Sequence, residues 1–167
     1  MLSGEIVWFW VLAVIAIGSA ISVVAFANPV RSVLFLVVNF LTLAALYFTL
    51  QAQFIGAAQI IVYVGAILVL FLFVIMLLNL GAPELLRERG EIKKPIAVLL
   101  GLFFLAFIGF QVATAVSARP PIAPGGIGTA ETIGIGLFTQ WVFPFEVTSV
   151  LLLVGIIGSI LLAKRKI

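Results

Sequence analysis

Glu146, Gln59, Tyr63 and Gly65 are the residues of this 167-residue sequence on which chemistry could rest. An ionisable group inside a bilayer is costly and by default marks function. Glu146 is the only carboxylate inside an apolar run long enough to cross a membrane. It sits about one turn inside the start of that run, where a helix N-terminus also favours a carboxylate. Two readings therefore stand, an interfacial carboxylate or a group used in coupling or assembly. Gln59 and Tyr63 are four residues apart, so a helix carries them on one face as a small polar track. A tyrosine hydroxyl both donates and accepts a hydrogen bond, which lets it relay a proton through water without ionising. Gly65 follows mid-run with no proline nearby. Glycine there permits close packing on another helix, a reading Ala58 seven residues earlier supports. It equally permits a hinge or bulge.

Other chemistries are excluded by what the sequence lacks. It contains no histidine and no cysteine, and all six acidic residues are glutamate. The usual ligands for zinc, haem and iron–sulfur clusters, thiol nucleophiles and imidazole acid–base groups are therefore missing. Gly126-Ile127-Gly128 has Glu131 where a dinucleotide loop needs its third glycine, and no strand precedes it. A self-sufficient ion pump needs a series of titratable groups at the midplane. No lysine or arginine lies near the centre of any run, so the chain can contribute to an ion path but cannot form one alone.

The elements that must position these residues are membrane helices. Apolar residues make up 65% of the chain and charged residues 9%, and the mean hydropathy is +1.40. A soluble domain carries about 25% charge and could not hide so much apolar surface at this length. Soluble enzymes, nucleic-acid binders and disordered chains are thereby excluded. The nine basic residues sit mostly in two clusters beside apolar runs, which is the pattern of topology signals. Five runs approach or exceed the ~20 residues a spanning helix needs: Ile6–Phe26, Val30–Leu50, Phe54–Leu80, Pro95–Val116 and Trp141–Ala163. They do not alternate in polarity, which argues against a β-barrel. The fold class is an all-α integral membrane protein in one domain, residues 1–167. Ala25-Phe26-Ala27 resembles a signal-peptide cleavage site. Glu5, the absence of a basic n-region and the length of the run make the first segment a retained span instead.

With five spans, eight basic residues fall on one side and only Arg119 on the other. The positive-inside rule then puts the N-terminus outside and the C-terminus in the cytoplasm. Trp8, Trp10 and Trp141 fall near the outer interface. The third run is longer than the membrane requires, which tilt or a local irregularity would accommodate. Asn39 and Thr42 are expected to bond to a partner helix, and Gly155 with Ser159 to form a packing face. Residues 117–140, rich in proline and glycine, read as a flexible outer loop. Residues 81–94 read as a short cytoplasmic helix or turn.

The third and fifth runs closely resemble a known family. The stretch from Gln53 through Gln59-Ile60-Ile61-Val62-Tyr63-Val64-Gly65-Ala66 to Leu77 is similar to the signature helix of the chain-6 (subunit J) family of NADH:quinone oxidoreductase, respiratory complex I. Asn28-Pro29-Val30 leading to Asn39-Phe40 looks similar too. So does Gly136-Leu137-Phe138 followed by Pro144-Phe145-Glu146-Val147. The resemblance covers nearly the whole chain and implies a membrane-arm subunit of a proton-translocating complex in a bacterial inner membrane. It implies a third helix with a π-bulge that forms and resolves, with Tyr63 and Gly65 at the matching positions and Tyr63 beside a water path. Glu146 matches the family's last-helix glutamate. No redox cofactor is implied for this chain, with FMN, iron–sulfur clusters and quinone in other subunits. The implied partners are subunits A, H and K, the antiporter-like subunit N and the lipid bilayer, without nucleic acid. The alternatives are a hydrophobic subunit of a related cation/proton antiporter or membrane-bound hydrogenase, and a structural assembly bundle.

Overall fold

A computed structural model describes residues 2–78, 93–117 and 128–164. Helix α1 (Leu2–Ala25) is followed by α2 (Pro29–Thr49). The break between them is built by Asn28, whose Oδ1 accepts the amides of Val30 at 3.0 Å and Arg31 at 3.3 Å. Pro29 takes the first helical position, where its missing N–H leaves no acceptor unfilled. The third membrane helix has three parts: α3 (Gln53–Ala58), a π-helical stretch (Gln59–Leu68) and α4 (Val69–Leu77). Helices α5 (Lys93–Ser117), α6 (Ala130–Thr139) and α7 (Val142–Ala163) complete the described chain. Five helices are long and apolar enough to cross a membrane: Ile6–Ala25, Pro29–Thr49, Gln53–Leu77, Pro95–Thr114 and Val142–Ala163. They agree with the five runs read from the sequence to within a few residues at each end.

Helix α2 is the centre of the packed part, with α1 on one side and the third helix on the other. Ser19 of α1 and Val33, Thr42 and Ala44 of α2 are all buried. Asn39 Nδ2 donates across the α1–α2 seam to Ala16 O at 2.8 Å and to Ser19 Oγ at 3.1 Å. The expectation for Asn39 is met. Thr42 instead donates to Val38 O on its own helix at 2.8 Å, because a threonine hydroxyl readily reaches the carbonyl four residues back.

The stretch 117–140 differs from the loop read there, because its second half is helix α6. Thr129 is the reason: its hydroxyl accepts the Thr132 amide at 3.3 Å as an N-cap, and Glu131 lies in the first turn, where the helix dipole favours a carboxylate. Helix α6 packs on α7 and touches α3. The reading of 81–94 falls almost wholly outside the described residues. Among the described residues, α5 packs on no other helix. Nothing lies within 4 Å of where a Cβ on Gly155 would stand, so the Gly155–Ser159 face has no partner helix within the described residues.

The accessible surface is 14461 Å², against about 8,000 Å² for a compact soluble monomer of this mass. Most large apolar side chains are exposed. This is a surface made for lipid and for neighbouring proteins.

Candidate functional site

The π-helical stretch carries three of the four residues singled out above, Gln59, Tyr63 and Gly65. In an α-helix each carbonyl accepts from the amide four residues on; here the partner is five residues on, which adds a residue to the turn. π-helix is rare and mostly confined to single turns, often at functional sites. Ten residues of it in a membrane span form an extended irregularity, and of the two explanations for the long third run they realise the second. The apolar sequence around it offers no proline, and the permissive residue is Gly65.

Gly65 is exposed. A Cβ built on it would lie 3.3 Å from Ile60 O, the carbonyl that the π pattern pairs with the Gly65 amide. No other helix comes within 4 Å of that point among the described residues. Within this chain, then, its small size serves the backbone of its own turn.

Gln59 is 8% exposed and faces inward. Tyr63 is 46% exposed, and its ring meets Phe40 of α2 edge-on, with centroids 5.9 Å apart and planes at 83°. The two polar side chains thus occupy different surroundings, Gln59 buried and Tyr63 half exposed against α2. No hydrogen bond joins them.

Glu146 stands apart from this stretch. It lies in the second turn of α7, which begins at Val142 after Trp141, and it is exposed. Its backbone carbonyl accepts from Ser149 Oγ at 2.7 Å. The neighbouring Phe145 ring packs on Phe138 of α6, with centroids 5.0 Å apart. Among the described residues there is no group of three or more acidic, histidine or cysteine side chains that could hold a metal.

Two contributors were not singled out by sequence reasoning. Phe40 is one: it lies within a helix of about six turns, and nothing in the local pattern says which of its side chains meets Tyr63. The other is Gly128. Its carbonyl accepts the Phe54 amide at 2.9 Å, at the start of the third helix. That contact joins residues 74 positions apart and leaves no local signal.

The chain matches the family model described as NADH-ubiquinone/plastoquinone oxidoreductase chain 6 over residues 19–162. It is 39% identical to the NAD(P)H-quinone oxidoreductase chain 6 of Leptolyngbya boryana, over 97% of this chain and 81% of that one. It is 36% identical to the NADH-quinone oxidoreductase subunit J of Escherichia coli strain K12, over 89% and 81%. It is 38% identical to the F420H2 dehydrogenase subunit J of Methanosarcina mazei, over 93% and 89%.

Proposed function

Because the chain belongs to the NADH-ubiquinone/plastoquinone oxidoreductase chain 6 family, we propose that its π-helical stretch couples quinone reduction to proton translocation in the membrane arm of complex I. Membership itself carries the coarser statement. The chain is a multi-pass subunit of a quinone oxidoreductase complex in a bacterial inner membrane, working with other subunits of that complex.

The observation that carries the finer reading is the π pairing of Gln59–Leu68 with Tyr63 and Gly65 inside it. Converting that pairing to α-helix removes one residue from a turn. Everything beyond then rotates by about 100° and shifts by about 1.5 Å for each π turn resolved. Tyr63, half exposed beside Phe40 of α2, would turn onto a new face and make or break a hydrated path at the subunit boundary. This is a two-state element that quinone chemistry elsewhere can bias and proton movement can read. In this reading the chain binds no redox group; FMN, iron–sulfur clusters and quinone belong to other subunits, and subunits A, H, K and N are its neighbours. Glu146 serves coupling or assembly from α7. The N-terminus lies outside and the C-terminus in the cytoplasm.

A second reading keeps the mechanism and changes the electron donor; the 38% identity to an F420H2 dehydrogenase subunit favours it. Purification of the tagged chain in mild detergent tests both. A large assembly oxidising NADH with quinone is expected, oxidation of F420H2 instead selects the second reading, and a free 17.9 kDa chain overturns both. Tyr63→Phe tests the switch: proton translocation should fall while NADH oxidation by an artificial acceptor is kept.

A further inference from the structure

We infer that Gly128 is a positioning residue, which holds the first half of the third helix fixed so that the second half turns when the π-helical stretch resolves. The inference rests on the switch reading above. Amides in the first turn of a helix have no partner within the helix. The Phe54 amide finds one outside it, in Gly128 O at 2.9 Å. The donor belongs to the positive end of a helix dipole, which strengthens the bond. The acceptor directly precedes Thr129, the N-cap of α6, so one short segment ties the beginnings of two helices together.

Only glycine permits this approach. A Cβ at position 128 would overlap the Gln51 carbonyl oxygen and stand 2.9 Å from Ala52 Cα and 3.1 Å from Gln51 C. All of these are backbone atoms, which cannot swing aside as a side-chain tip can. The Gln51–Ala52 turn is itself constrained, with Gln51 in the left-handed region at φ 60°. A second pin lies one turn on. Gly56 is buried, and a Cβ on it would meet the Phe48 ring at 3.1 Å.

The second half of the helix has no equivalent. Among the described residues, α4 packs on α2 through apolar side chains such as Ile75, a non-directional contact over which a helix can slide and rotate. Phe73, Met76 and Leu77 are more than half exposed. A register change in Gln59–Leu68 must turn one end, and the pinned end is α3.

The experiment is residue-resolved hydrogen exchange in the intact complex, alongside proton translocation. In the wild type the Phe54 amide should exchange at least about tenfold more slowly than the neighbouring Gln53 amide. Gly128→Ala should erase that difference and lower the protons moved per NADH, leaving NADH oxidation by an artificial acceptor unchanged. Gly134→Ala in α6, where nothing lies within 4 Å of the added methyl, should change neither. Equal exchange of Phe54 and Gln53 in the wild type overturns the inference, whether or not Gly128→Ala assembles. Lost protection with wild-type proton translocation overturns the positioning role. Wild-type translocation in Tyr63→Phe would overturn the switch reading instead, and leave the exchange result standing.

Discussion

The Phe40 ring meets Tyr63 edge-on at 5.9 Å, joining α2 to the middle of the π-helical stretch. Tyr63 is thereby held at one rotational setting of its helix, and the pair reports on that setting. Such edge-to-face pairs contribute about 1 kcal/mol beyond the area they bury. Phe40→Leu keeps the apolar volume roughly constant and removes the ring. The expected outcome is a complex assembled at wild-type level whose coupled turnover falls several-fold, with artificial-acceptor activity intact. Quinone reductase and acceptor assays on the same membranes check it.

Gly65→Val should act on the backbone. The branched side chain would begin 3.3 Å from Ile60 O and crowd the preceding turn, penalising the π pairing. A penalty of about 1.4 kcal/mol corresponds to tenfold in population. Assembly should be retained and NADH:quinone turnover should drop by about that factor or show a lag after rest. Steady-state and pre-incubation kinetics read it; unchanged kinetics would leave Gly65 without a role in switching.

Asn39→Leu removes the two bonds that cross from α2 to Ala16 and Ser19 of α1. Interhelical hydrogen bonds in membranes contribute about 0.6 kcal/mol on average and up to about 1.7. The mutant should lower the thermal midpoint of the assembled complex by a few degrees without altering the ratio of protons moved to NADH oxidised. A changed ratio would show that the seam takes part in coupling.

Glu146→Gln preserves size and hydrogen bonding and removes the charge. If α7 serves coupling, protons moved per NADH should fall while acceptor activity and assembly stay normal. Wild-type values throughout would mean that the exposed carboxylate serves only the helix end.

Orientation is open to direct labelling because the chain has no cysteine of its own. Gln140→Cys, between α6 and α7, should react with an impermeant reagent from outside, and Ala27→Cys, between α1 and α2, should not. The reverse pattern inverts the topology. Either way, the contact between Gly128 and the Gln51–Phe54 turn requires those two segments to share a side, as the five-span count does.

How much of this was legible beforehand follows from which physics is local. The five spans were readable because hydropathy sums over twenty neighbouring residues, and the α1–α2 break because Asn28-Pro29 is a complete capping signal. The irregular third helix was readable only as a pair of options. Glycine and excess length permit a π turn, but they do not say how many residues adopt it. Helix α6 was hidden behind the prolines and glycines of the surrounding stretch, although Thr129 and Glu131 announce its start. The Phe40–Tyr63 and Gly128–Phe54 contacts depend on how helices distant in sequence meet, which no local pattern encodes.

The large exposed apolar surface has a consequence for the life of the chain in the cell. With 14461 Å² accessible and α5 touching no other described helix, the packed state draws much of its stability from what surrounds it. Such stability rises with partner concentration by mass action. A copy without its partner subunits is therefore expected to unfold or be cleaved more readily than one held in the assembled complex.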